Sequence, residues 1–300
     1  MPTITDAWVI TGPTSGYGYA TALELARHGT VVLVGRNAEK LASVMTEIEG
    51  RGGQATIVVA DFSDIVSARR AASTIAALGL PIRGVLNNAG VMLSKPATSK
   101  QGWDLSFATN HLGPLAFTDA LIPTLADHTN VVFIASAVED PERIPAVRAG
   151  FRGSRYISAN ATARGEYTPG GSSRPGMDAY ATSKQGNLAT VYSLAREVPR
   201  LRFRAIEPGV NPGSNLGDLP AAVRLLAKAL TPVLAGLPHF TTSKRAARII
   251  THILTDPSTG TGIYYDEKGK PLKASKQVSN PEFSDRYILE SRELLATVPA

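Results

Sequence analysis

Along this chain, short and almost wholly apolar stretches alternate with longer segments in which apolar residues return at helical spacing. The apolar runs are Ala7–Thr11 (AWVIT), Thr30–Gly35 (TVVLVG), Gln54–Ala60 (QATIVVA), Arg83–Asn87 (RGVLN) and Asn130–Ala135 (NVVFIA), with Leu201–Glu207 and Gly262–Tyr265 later on. They are continuous rather than alternating, which is the pattern of parallel strands covered on both faces. Between them, Ala22, Leu25 and Ala26 mark a first helix. Asn37–Ile48, with Asn37 as N-cap, Asp64–Leu78 and a long segment Gln101–Ala126 read as three more. Strand and helix alternate throughout, so the expected architecture is one α/β domain over residues 1–300. Its core is a doubly wound parallel sheet of about seven strands, the Rossmann arrangement.

One segment breaks this rhythm. Ala137–Asp178 contains six arginines, six glycines and four prolines, no lysine and no clear period. A connection of that length in a compact domain is either functional or disordered. It reads as an insertion.

Bulk properties narrow the chemistry further. With 43 % hydrophobic residues the chain can build a core, and with no cysteine it has no disulfide, thiolate metal site or cysteine nucleophile. The five histidines lack metal-type spacing, so no metal is expected. The net charge of +6 is scattered rather than gathered into a nucleic-acid surface. No run is long enough to cross a membrane, and the N-terminus lacks the pattern of a signal peptide, so a cytoplasmic protein is expected.

The loop after the first strand reads TGPTSGYG, from Thr11 to Gly18. Placed between a strand and a helix, it suits a phosphate cradle. Gly12 permits a tight turn, and Gly16 and Gly18 allow close approach. The helix start offers N–H groups, with Thr14, Ser15 and the Tyr17 backbone alongside. The second strand ends in Gly35-Arg36-Asn37, an arginine where a carboxylate would select NAD. Arg36 can pair with a ribose 2′-phosphate, so the expected cofactor is NADP(H). Further on, Tyr180 and Lys184 lie four apart in YATSK and share a helix face. An ammonium there favours the phenolate, lowering the tyrosine pKa for proton exchange.

TGPTSGYG, Asn87-Asn88-Ala89-Gly90, Asn110, Ser136, YATSK and Pro208-Gly209 occur in an order and spacing that resembles the short-chain dehydrogenases/reductases over about residues 5–300. GRNAEKL, the NNAG-to-NHLGPL spacing and the GIYYDEKGKPL tail are most similar to the NADP-preferring branch of retinol dehydrogenases and carbonyl reductases. The resemblance implies a catalytic set of Asn110, Ser136, Tyr180 and Lys184. Tyr180 exchanges the proton, and Lys184 holds the nicotinamide ribose. Ser136 bonds the substrate oxygen, and Asn110 fixes a water linking Lys184 to solvent. It also implies that Asp61 and Phe62 flank the adenine and that Asn88, Ala89 and Gly90 line the cofactor. Pro208, Gly209, Val210 and Ser214 meet the nicotinamide end, Ser214 replacing a usual threonine.

The same resemblance sets the functional expectation. It is hydride transfer between NADP(H) and a ketone, aldehyde or secondary alcohol, with reduction of a lipophilic or aromatic carbonyl favoured by the apolar segment within about 211–240. A C=C reductase of the protochlorophyllide type and a non-catalytic NADP(H) sensor are the alternatives. The absence of cysteine weighs against the first and the presence of Tyr180 against the second. Ser136 and Tyr180 are 44 positions apart (180 − 136), where a plain family member has little more than a dozen residues. Three readings of the inserted chain stand open: it walls the substrate pocket, it blocks the Tyr180 helix face through which relatives form homo-oligomers, or it is a solvated loop.

Overall fold

The computed structural model describes residues 6–211 and 239–299. Seven strands form a single sheet: β1 (Ala7–Thr11), β2 (Thr30–Gly35), β3 (Gln54–Val59), β4 (Ile82–Asn87), β5 (Asn130–Ile134), β6 (Arg202–Ile206) and β7 (Ile263–Tyr265). Their order is β3-β2-β1-β4-β5-β6-β7 and every pairing is parallel. The strand order reverses between β1 and β4, the switch point at which open α/β sheets bind ligands.

Alternation along each strand divides the core in two. Val9 and Val32 face one side, where they pack with Phe107, Phe117, Leu188 and Tyr287. Trp8, Ile10, Val31 and Leu33 face the other, against Leu25, Leu41, Ile250 and Leu254. Each such side chain contributes about 1.5–3 kcal/mol by leaving water. The second face is covered by α1 (Gly16–Leu25), α2 (Ala38–Gly50) and a helix at Ser243–Thr255. The first is covered by α3 (Ile65–Ala77), the segment from 105 to 124, the tyrosine helix Pro175–Glu197 and the last helix Pro281–Ala296. The cap read from sequence is present, Asn37 Oδ1 accepting the Lys40 N–H at 2.8 Å, and the structure adds a second, Asp64 Oδ1 accepting the Val66 N–H at 3.2 Å.

Two elements differ from expectation. The long helix is not one regular α-helix. It runs as α4 (Leu105–Phe107), a π turn at Ala108–Leu112, α5 (Gly113–Leu121) and a 3₁₀ turn at Ile122–Thr124. Pro114 has no N–H to close the Asn110 carbonyl four residues earlier, and the Gly113 N–H reaches back instead to Ala108. Gly113 is itself required, since a Cβ there would lie 2.0 Å from the Phe62 carbonyl oxygen.

The insertion, in turn, is ordered. It contains α6 (Ile144–Arg148) and α7 (Ala159–Ala163). It is held by side chains from distant parts of the chain. Numbering on, the tyrosine helix is α8, Ser243–Thr255 is α9 and Pro281–Ala296 is α10. Tyr156 stacks on Tyr287 of α10 at 3.7 Å between ring centroids and donates to Glu290 at 2.6 Å. The Arg155 N–H donates to Thr182 Oγ1, and Ser154 Oγ to Gln185 Oε1, both on α8. Tyr287 donates to the Thr182 carbonyl at 2.9 Å, and residues 178–191 are buried throughout. The face of α8 considered for a homo-oligomer is thus filled by the insertion and α10 of the same chain.

Candidate active site

The glycine loop is built from the switch-point strands. Thr11 Oγ1, at the end of β1, accepts the N–H groups of Asn88 and Ala89, each at 2.9 Å. Asn88 Nδ2 returns two hydrogen bonds, to the carbonyls of Thr11 and Gly12. Gly12 stands at φ +67° and Gly16 at +58°. A Cβ on Gly18 would meet Asn88 Nδ2 and the Gly12 oxygen at 2.4 Å, so only glycine lets helix and loop come this close. Around Gly16 the space is open. Ser15 caps α1 without a side-chain hydrogen bond, and no acid stands in its first turn. The helix start therefore presents free N–H groups and positive potential, with Thr14 beside it. These residues fit a dinucleotide pyrophosphate.

Arg36 is exposed at the end of β2 and has no partner among the described residues. Asp61, after β3, accepts from the N–H and hydroxyl of Ser63 at 2.9 and 2.7 Å. Phe62 follows Asp61 in the chain. Its ring lies in the core, edge-on to Phe117 at 5.3 Å, so only its backbone can face an adenine.

The four residues of the expected catalytic set lie around the carboxyl ends of β4 and β5. Lys184 Nζ donates to the Ile134 carbonyl at 2.8 Å and stands 5.4 Å from the centre of the Tyr180 ring. Asn187 shares the same carbonyl at 3.1 Å. Two residues beyond Ile134, Ser136 caps a 3₁₀ turn at Ala137–Glu139. Asn110, in the π turn, bridges three elements. Its Oδ1 accepts the Val91 N–H, and its Nδ2 donates to the Val91 carbonyl and to Ser183 Oγ. Gly90 packs against it. The Tyr180 hydroxyl has no hydrogen-bond partner among the described residues, nor does it touch Ser136 Oγ through a hydrogen bond. Around its ring lie Phe151 and Ala146 of the insertion, with Met92, Val138 and Met177.

Electrostatics amend the sequence argument. Burial lowers Lys184 to about 8. Burial, with the nearby Glu207 carboxylate second, pushes the Tyr180 phenol well above its usual 10. The expected lowering of the tyrosine by the lysine is thus outweighed, because both groups share one desolvated pocket.

At the far side of the cleft, Pro208 is buried and Gly209 adopts φ +88°. Its carbonyl accepts the Tyr17 hydroxyl at 2.8 Å, so Tyr17 uses its side chain as well as its backbone. Val210, half exposed at 50 %, pairs with Phe240, and its N–H donates to the His239 carbonyl. Ser214 and the apolar stretch within 212–238 lie outside the described residues. Sequence reasoning passed over Glu207, Thr11 and Phe151. Thr11 could have been suspected as the polar end of an apolar run. Nothing in the local sequence marks the other two.

Comparison with known proteins agrees with this geometry. The family model for short chain dehydrogenases matches residues 6–145. A short-chain dehydrogenase/reductase of Armillaria gallica is 31 % identical over 214 residues, covering 70 % of this chain but 65 % of that protein. The short-chain dehydrogenase/reductase pkfC of Emericella nidulans is 30 % identical over 274 residues, covering 80 % of this chain and 81 % of its own. Among solved structures, a short chain dehydrogenase from Burkholderia cenocepacia in complex with NADP shares the fold, with a TM-score of 0.65 and 19 % identity over 87 % of this chain and 96 % of that one. The chain belongs to the short-chain dehydrogenase/reductase family.

Proposed function

We propose that this chain transfers a hydride between NADP(H) and a ketone, aldehyde or secondary alcohol, acting chiefly as a reductase of lipophilic or aromatic carbonyls. The observation that carries this reading is the placement of Tyr180. Its hydroxyl is uncommitted, beside Lys184 and within an apolar wall, at the carboxyl ends of β4 and β5. Unpartnered Arg36 supports a 2′-phosphate ligand, and the loop Gly12–Gly18 supports its pyrophosphate.

When bound, the nicotinamide supplies or accepts the hydride. In reduction, Tyr180 gives its proton to the substrate oxygen, and in oxidation it takes the alcohol proton. Ser136 Oγ donates a hydrogen bond to the same oxygen. Lys184 holds the ribose hydroxyls and stabilises negative charge on the phenol oxygen. The Asn110 carbonyl, left without its helical donor by Pro114, is the acceptor for a water leading protons to Lys184. Phe151, Met92 and Met177 exclude bulk water and favour an apolar substrate. Titration with NADPH and NADH, followed by NADPH consumption with benzaldehyde and acetophenone, tests the reading. Tight NADPH binding with turnover supports it, and no binding of either nucleotide overturns it.

A further inference from the structure

Glu139 closes the 3₁₀ turn that Ser136 caps. Its N–H reaches back to the Ser136 carbonyl at 3.4 Å, and Ser136 Oγ accepts the Val138 N–H at 3.5 Å. The side chain points inward and is fully buried. Its Oε1 accepts the Ser275 N–H at 2.8 Å, from the chain between β7 and α10. Its Oε2 accepts the Ser275 hydroxyl at 2.6 Å and Gln185 Nε2 at 3.4 Å. Gln185 follows Lys184 on α8, and its Oε1 accepts Ser154 Oγ of the insertion at 2.7 Å. The Ser154 N–H returns to the Glu139 carbonyl at 2.8 Å, so Glu139, Gln185 and Ser154 form a closed ring of hydrogen bonds. On the other side of Ser136, Lys184 and Asn187 hold the Ile134 carbonyl. Ser136 thus lies between two anchors, and both end on the helix that bears Tyr180.

We propose that Glu139 is a positioning residue for the reaction, holding the turn that sets Ser136 Oγ relative to Tyr180 and Lys184. This role rests on the oxidoreductase reading above.

Cost and place both favour it. A buried carboxyl is expensive to desolvate, and an apolar side chain of similar size is often no less stable. Fold stability alone is therefore a poor reason for an acid at position 139. What the carboxyl supplies is direction, because it accepts from three donors at once, two on Ser275 and one on α8. Ser136 Oγ has to reach the same substrate oxygen as Tyr180, and a misplacement of about 1 Å can cost on the order of a hundredfold in rate. Glu139 acts on that placement through the backbone of its turn.

Three variants separate this role from mere support of the fold. Glu139→Gln keeps an oxygen for the Ser275 N–H, Glu139→Leu removes every acceptor, and Ser275→Ala removes a single donor. Each is made alone and together with Ser136→Ala. The readouts are kcat and KM for benzaldehyde reduction by NADPH, NADPH affinity by fluorescence titration, and urea unfolding. With Ser136 in place, kcat should fall roughly tenfold in Glu139→Leu and about threefold in Ser275→Ala, while Glu139→Gln stays within about threefold of wild type. In the Ser136→Ala background each change should cost no more than about twofold, because the group it positions is already gone. NADPH affinity should stay within about twofold throughout. Equal fold losses with and without Ser136 overturn the role of Glu139 alone, as does full turnover in Glu139→Leu or in Ser136→Ala. Where Glu139→Leu does not fold, Ser275→Ala decides by the same comparison. A wild type that reduces no carbonyl overturns the oxidoreductase reading and this role together.

Discussion

Tyr180 and Arg36 carry the two sharpest single-residue expectations, and they test different halves of the site. Tyr180→Phe removes the exchangeable proton and leaves the ring packed against Phe151. Turnover should fall by more than about a hundredfold, while NADPH still binds by fluorescence titration. Arg36→Asp places a carboxylate where the 2′-phosphate is expected. NADPH affinity should fall about ten- to a hundredfold, and NADH affinity far less. Glu139 offers a test of stability. It is fully buried, accepting from the Ser275 N–H and hydroxyl at 2.8 and 2.6 Å, and burial raises it to about 7. A raised folded-state value means that its contribution is complete below its ordinary 4.5 and is lost as pH climbs through about 7. In Glu139→Gln the denaturant midpoint should fall less over that interval. At this scale the sequence was informative about position: Tyr180 and Lys184 lie side by side as their spacing implies, and Arg36 stands exposed just after β2. It was silent on Glu207, because a carboxyl at a strand end reads as solvated until the fold buries it. It was silent too on the direction of the Phe62 ring, which the α5 contact draws into the core.

Among the elements, the strands were legible almost to the residue, since a parallel strand buried on both faces leaves an unbroken apolar run. Ala7–Thr11 and Thr30–Gly35 have the limits their sequences imply. The π turn was not legible. The sequence predicts one helix over Gln101–Ala126 with Pro114 inside it, but the residue pattern does not say where the missing N–H is absorbed, and only the structure shows a π turn at Ala108–Leu112. This gives a prediction for the element. Pro114→Ala supplies an N–H for the Asn110 carbonyl and favours a regular α-helix. Stability should hold or rise, and kcat should fall roughly tenfold as Asn110 shifts from Val91 and Ser183. Urea unfolding and steady-state kinetics on one preparation read both.

Over the whole molecule, the inserted chain and α10 act as one unit. The insertion could not be read as ordered from its own residues, because the contacts that order it come from α8 and, more than a hundred positions away, from α10. Tyr156 on Tyr287 is the clearest case. Tyr156→Ala should cost about 3–5 kcal/mol in urea unfolding, with NADPH affinity retained, since the rings lie away from the glycine loop. Because this unit fills the outer face of α8, pairing of two chains through that face is not expected. Analytical ultracentrifugation should show no such dimer in the wild type.

The cover over α8 also arrives late. The helix ends at Glu197 and α10 begins at Pro281, 84 positions on (281 − 197). At about 5–20 residues per second, a ribosome spends several seconds between them. Throughout that interval the flank of the Tyr180 helix that packs on α10 lacks that part of its cover, and Tyr156 of the insertion has no Tyr287 to stack upon. A stop codon anywhere before residue 281 would leave Tyr180 translated yet its scaffold unfinished.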